Sequence, residues 1–171
     1  MADTAKITEP TTIASITLTV TRGVTAGWIA GIPQVLVAQA GGRLLGIRER
    51  ADIGPRFIRR AAEHADRPLS PSMHWLLAGV FHFEYAAMWG AAYALPVERL
   101  GPRRVPPLLG GVLLGGVIYT AAFSPLGAAT RTGAERPTEQ RPLRETVVHW
   151  LAALSFALTN AIAYQWPRER W

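Results

Sequence analysis

Four long apolar stretches with almost no charge alternate with segments that hold nearly all of the charged residues. The stretches cover residues 23–40, 74–95, 107–129 and 146–166, so each is 18 to 23 residues long. A membrane-spanning helix needs roughly 20 apolar residues to cross the hydrocarbon core of a bilayer. The pattern therefore predicts an all-α polytopic membrane protein, a bundle of four transmembrane helices.

A soluble helical bundle is the alternative, and each of its helices should present a polar stripe at 3.6-residue spacing. The second stretch carries only His74, His82 and Glu84 as strongly polar side chains, too few to wet one face of a helix. We therefore expect residues 1–171 to form a single membrane domain with both termini on the same side. The expected helices are 16–40, 74–95, 107–129 and 146–166.

The connection 41–71 contains seven arginines and four acidic residues, with apolar side chains between them. This composition is typical of a short amphipathic helix in the headgroup region, here about 55–64. An ordinary solvated loop is the alternative. The net charge of +6 and the pI near 10.7 are also typical of nucleic-acid binding. Because most arginines lie between the apolar stretches, anionic lipid headgroups account for them more simply, and we expect no nucleic-acid partner.

The composition and the motifs exclude several kinds of chemistry. The chain has no cysteine, which rules out a disulfide framework, a thiol nucleophile and a thiolate metal site. It also lacks a His-Glu-x-x-His zinc motif, a Gly-rich phosphate loop and a nucleophile elbow. We therefore expect neither an enzyme nor a metal site.

Small residues recur at every fourth position in three of the apolar stretches. Lipid tails are as apolar as leucine, so membrane helices associate through the close van der Waals contact that small residues allow. These ridges predict tight packing, against a helix either of this chain or of another subunit. The residues are Gly23, Gly27, Gly31, Gly111, Gly115, Ala153, Ala157 and Ala161.

The second and fourth stretches begin alike. The tripeptide His-Trp-Leu at 74–76 recurs at 149–151, an offset of 75 residues. The first and third stretches share a Gly-x-x-x-Gly pair as well, at 23–27 and 111–115. The repetition predicts two helix hairpins related as parallel repeats, with a pseudo-twofold axis along the membrane normal.

Glu84 lies near the middle of the second predicted helix, where an ionised carboxylate would cost roughly 2.5 kcal/mol or more. His82 is two residues away and points to another side of the helix, so it is not the partner. Counting residues from the helix ends places Gln34, Tyr119 and Asn160 at a similar depth. We expect these four residues to form a polar layer, with Glu84 either a proton or cation site or a neutral carboxylic acid bonded across helices.

The histidines permit two interpretations. His74 and His149 each precede a tryptophan, a residue enriched at the membrane interface, and this favours headgroup depth for both. Axial ligation of a haem or a chlorophyll-type pigment is the alternative, for which the deeper His82 is the better candidate. The sequence itself requires no cofactor.

The second half of the chain carries a glycine-rich helix at 110–116, Pro125-x-Gly127, and Glu145 followed by His149 and Trp150. These features, with four hydrophobic stretches and a charged first loop, resemble the YagU-type small inner-membrane proteins. The resemblance covers about the last 70 residues. It implies a bacterial inner (plasma) membrane location and a role in acid resistance, and it supplies no catalytic residues.

Two functions fit these observations. In one, the protein is an accessory or packing subunit of a larger membrane assembly, as a homo-oligomer or with other subunits. In the other, it is a permease-like or proton-handling protein centred on Glu84. The sequence leaves the choice open.

Overall fold

The computed structural model describes residues 13–47 and 53–166, which are helical with short connections and contain no strand. This confirms the all-α class. The helices are α1 (Ile13–Leu44), α2 (Ile53–His64), α3 (Pro71–Leu100), α4 (Pro107–Phe123), α5 (Ala128–Arg131) and α6 (Leu143–Gln165). Short 3₁₀ turns lie at Pro102–Arg104 and Thr138–Gln140.

Two segments are long and apolar enough to cross a membrane, Pro107–Arg131 and Leu143–Gln165. The helices α1 and α3 are longer, at 32 and 30 residues, but are not among these candidate spans. Polar side chains such as Thr25 and Gln34 in α1, and His82 and Glu84 in α3, lower their mean hydropathy. Of the four predicted membrane spans, the third and fourth are therefore the ones that meet the length and hydropathy requirement in the structure.

Proline and serine set several helix ends. Ser70 caps α3 by accepting a hydrogen bond from the backbone N–H of Met73, and Pro71 occupies the first helical position, where an N–H would lack a partner. The predicted helix 107–129 is interrupted, because α4 ends at Phe123 and Ser124 is extended before Pro125. A residue before proline is disfavoured in the helical region, so only the short α5 follows.

The long helices pack as antiparallel neighbours. Gly23 of α1 lies beside Gly90 and Ala94 of α3, whereas Gly31 lies beside His82. In the same way, Gly111 of α4 lies beside Ala157 and Leu158 of α6, and Gly115 beside Leu154. The helix α1 also packs along α6, so these helices follow one another in space as α3, α1, α6 and α4. Over the described residues, the four long helices run up, down, up and down.

Small side chains fill the interior, and large apolar ones cover the outside. Most of the buried apolar residues are alanines, among them Ala30, Ala94, Ala157 and Ala161 at 0% exposure. Many large aliphatic side chains on all four long helices point outward, with Leu36, Leu76, Leu113 and Leu151 at 62%, 60%, 60% and 50% exposure. This is the reverse of the usual arrangement in a protein surrounded by water.

Candidate functional site

A partly open cavity of about 100 Å³ lies among α1, α3, α4 and α6, at the end of the bundle that α2 and α5 cover. Its wall is mainly apolar and aromatic, and Phe57 of α2 stacks on Phe81 of α3 with 4.6 Å between ring centroids. The polar side chains in the wall are Gln34, His82, Tyr85 and His149.

The space exists because several wall positions are alanines. Ala38 on α1, Ala122 on α4, and Ala152 and Ala153 on α6 all line the cavity, and all four are buried. Larger side chains there would close it. Gln34 is one helical turn before Ala38, so it reaches the same cavity.

A buried charged cluster of Arg56, Glu135, Arg141 and His149 adjoins this cavity. Glu135 accepts a hydrogen bond of 2.6 Å from Nη1 of Arg56 and a second, of 3.0 Å, from the backbone N–H of Arg136. The Nε2 atom of His149 lies 3.8 Å from the same carboxylate. The Glu135 and His149 side chains are 5% and 4% exposed, so both are largely removed from solvent.

The contact with Arg141 fixes the tautomer of His149. Nη1 of Arg141 lies 3.0 Å from Nδ1 of His149, and a guanidinium group can only donate. Nδ1 is therefore the acceptor, and in the neutral ring the proton lies on Nε2, the atom that faces Glu135. A proton added at Nδ1 would set two donors against each other, so proton uptake requires Arg141 to move.

Arg141 is held by groups from two other segments. Its Cζ lies 4.5 Å from the centroid of the Phe123 ring, and Nη2 contacts the carbonyl oxygen of Phe123 and the hydroxyl of Thr138 at 3.5 and 3.4 Å. The Phe123 ring in turn lies 4.7 Å from the His149 ring. The cluster thus joins the end of α4, the connection after it and the start of α6.

The four residues of the predicted polar layer do not come together. Gln34 lines the cavity, and the hydroxyl of Tyr119 pairs with that of Thr138 at 3.2 Å. Asn160 is 0% exposed, and neither atom of its amide has a hydrogen-bond partner within the described part of the chain. Glu84 lies on the exposed outer face of α3. Counting residues gave a common depth but no information on which way each side chain points.

The histidines are engaged by the protein itself. His82 and His74 bond through Nε2 to the carbonyl oxygens of Gly31 and Pro55, at 3.0 and 2.8 Å, and His149 belongs to the charged cluster. Iron binding through Nε2 would displace these contacts at His82 and His74. The cavity of about 100 Å³ that His82 and His149 line is also far smaller than the roughly 300–1,000 Å³ of drug-sized ligand pockets, so this cavity does not fit a haem or pigment macrocycle. No group of three or more His, Asp or Glu residues suited to a metal ion occurs in 13–47 and 53–166.

The predicted packing ridges lie inside the chain, and the structure buries all eight residues. A Cβ atom on Gly27 would collide with the carbonyl oxygen of Ala86, which indicates direct contact between the backbones of α1 and α3. Gly111 lies almost as close to α6, since a Cβ there would be 3.0 Å from Cα of Leu158, whereas one on Gly115 would make only ordinary contacts of 3.4 Å or more. The ridges therefore pack helices of one chain against each other.

Sequence reasoning did not identify Glu135 and Arg141. Both lie in a segment with the composition of a polar connection, and no periodicity marks them as buried. Of the cluster, the sequence marks only His149, either for headgroup depth or as a haem or pigment ligand. The connection folds back under α2, and such a long-range contact leaves no local signal in the sequence.

No protein-family model, curated protein or solved structure matches the chain. The similarity to YagU-type proteins therefore stays a prediction from the sequence.

Proposed function

We propose that the protein crosses the membrane four times and serves as an accessory subunit of a larger membrane assembly. The distribution of side chains supports four spans. In the most apolar part of each candidate span, only 39% is buried for Pro107–Arg131 and 44% for Leu143–Gln165. Most of their apolar surface therefore faces outward. Aqueous solvent does not tolerate an apolar surface of this extent on a monomer.

The helices α1 and α3 share this property despite their lower hydropathy. Their exposed large side chains include Trp28, Ile32 and Leu36 on α1 and Leu76 and Val80 on α3. The polar residues that lower the mean hydropathy are partly turned inward, as for His82 and Gln34. Judged by the outer surface, all four long helices suit lipid, and the bacterial inner membrane is the location that the sequence resemblance favours.

The position of Glu84 is the observation that supports the accessory role. This carboxylate is exposed among apolar side chains on the outer face of α3, and it has no hydrogen-bond or ion-pair partner within the described residues. Charged groups at this depth in a bilayer are paired or face water. An ionised Glu84 would therefore need a partner from outside the described residues, and a neighbouring subunit can supply it.

The native mass of the protein tests this proposal. We would extract tagged chain from its own membranes in a mild detergent and compare wild type with Glu84→Gln and, as a control, Glu139→Gln in an exposed connection. We expect wild type and Glu139→Gln to run in a complex that contains another membrane protein, and Glu84→Gln to leave it. A wild-type mass equal to 18.6 kDa or a multiple of it, with no other protein present, would contradict the proposal.

The cavity favours a second function, proton handling, at a different place from the one that the sequence suggested. His149, placed between Arg141 and the carboxylate of Glu135, has the components of a proton relay next to a small cavity. Vesicles with a trapped pH-sensitive dye provide the test. On this function, His149→Gln abolishes proton flux and Glu84→Gln leaves it intact. Equal flux from wild type, His149→Gln and empty vesicles would exclude it.

A further inference from the structure

Glu84 lies near the middle of α3, 13 residues from Pro71 and 16 from Leu100. At a rise of 1.5 Å per residue, the carboxylate is about 20 Å or more from either end of the helix. Neighbouring outward side chains are Val80, Phe83 and Met88, at 51%, 44% and 52% exposure. Glu84 is thus surrounded by apolar surface, which makes an ionised carboxylate costly in lipid.

Within residues 13–47 and 53–166, no lysine or arginine lies at this level. Between Arg67 and Arg99 the sequence contains neither lysine nor arginine. The packing of α1 on α3 places the segment between Gly27 and Gly31 opposite Glu84, and α1 has no charged residue from 23 to 42. His82, the nearest histidine in the sequence, bonds to Gly31 on another side of α3.

A second copy of the same face is a poorer partner for an ionised Glu84. Two such faces in contact would bring two carboxylates together, and unless one of them takes up a proton the like charges repel each other strongly in a desolvated interface. A cationic partner of another kind suits the carboxylate better. The surface beside Glu84 is an open groove between α1 and α3, bordered by Trp28 and Phe83. Gly79 also lines it, with no atom within 4 Å of the place where a Cβ would lie, so the groove has room for side chains of a neighbouring helix.

From this geometry we infer that the Glu84 face of α3 binds a transmembrane helix of a different protein, one that carries an arginine or lysine near the bilayer midplane. The inference rests on the proposed accessory role and names the chemistry of the partner. Apolar contacts in the groove provide the packing, and the ion pair provides the specificity. An unpaired charge on either partner disfavours the separated state in lipid.

A synthetic helix serves as the probe. The full chain, labelled at a single cysteine introduced at Arg103, is reconstituted in phosphatidylcholine vesicles with a labelled polyleucine helix that carries one central arginine. A polyleucine helix without the arginine is the matched control peptide. Energy transfer between the labels measures association, for wild type, Glu84→Gln and the control Glu139→Gln.

We expect the arginine helix to associate with wild type and Glu139→Gln about tenfold more tightly than with Glu84→Gln, and the leucine helix to show no such difference. Equal association of both helices with wild type, or an unchanged affinity in Glu84→Gln, would overturn the inference. Glu84-dependent association between two wild-type copies would also overturn it, in favour of a homo-oligomer.

The same vesicles separate this outcome from failure of the proposed function. A chain that alkaline carbonate removes from the vesicles is not embedded in the bilayer, and the four-span proposal fails together with the inference. A chain that stays in the bilayer and does not discriminate between the two helices refutes the inference alone.

Discussion

At Gly27 the backbones of α1 and α3 are so close that no side chain fits between them. A Cβ there would collide with the carbonyl oxygen of Ala86, and one on Gly90 would collide with that of Gly23. The glycines are therefore needed for close approach and not for an unusual backbone angle. Such contact compensates for the missing hydrophobic drive between helices in lipid.

Gly27→Ala should lower the stability of the protein by about 1–3 kcal/mol, because the added methyl group forces the helices apart. Gly79→Ala on the outer face of α3 is the matched control, since the space around its Cβ position is open. It should be neutral or slightly stabilising, because alanine is the better helix former. Thermal unfolding in detergent, followed by circular dichroism, gives both values. Equal effects of the two changes would mean that the α1–α3 contact is not close.

Glu84 marks the limit of sequence reasoning at this scale. Its depth followed from its place in the apolar stretch, but its direction depends on which side of α3 faces α1. The residues of α3 that pack inward include Ala78, Ala86, Gly90 and Ala94. Glu84 is two residues before Ala86 and therefore lies on the opposite side of the helix. The glycines of α1 determine which side of α3 faces inward. The sequence around Glu84 alone therefore does not reveal the direction of its side chain.

At the level of single elements, α2 is the helix that the sequence located best. The expected amphipathic segment 55–64 corresponds to α2 at Ile53–His64. Its packing was not predictable, because it depends on Phe57 against Phe81 and on Arg56 bonded to Glu135, 79 residues further along the chain. The break after α4 does have a local signal in the sequence, Ser124 before Pro125. The hydropathy pattern alone does not show it, because the third apolar stretch continues through these residues.

Glu135→Gln should loosen α2 locally, because the neutral amide interacts much more weakly with the Arg56 guanidinium. We expect hydrogen–deuterium exchange of the α2 amides to accelerate about tenfold, the factor for a loss of about 1.4 kcal/mol, with α1 and α3 unchanged. Glu63→Gln is the control, since Glu63 forms an exposed pair with Arg60 of the same helix, and such pairs contribute little. If both variants exchange alike, the buried pair does not hold α2 in place.

For the whole molecule, hydrophobic patterning predicted the number of long helices and their antiparallel order, since segment length and connection length follow from composition. The cavity and the charged cluster could not be predicted in this way, because they arise where side chains from α1, α2, α3, α4 and α6 converge. The distribution of alanine inside and leucine outside appears only once the faces of the helices are known. It is this arrangement that underlies the four-span proposal.

Single cysteines test that proposal most directly, because the chain contains no cysteine of its own. We would place one at a time at Ala65 after α2, Arg103 between α3 and α4, and Thr132 after α5, all exposed positions. They would be labelled in sealed vesicles with a membrane-impermeant maleimide. Four spans predict that 65 and 132 react from one side and 103 from the other. Labelling of all three from a single side, or of 65 and 132 from different sides, would contradict a four-span membrane protein.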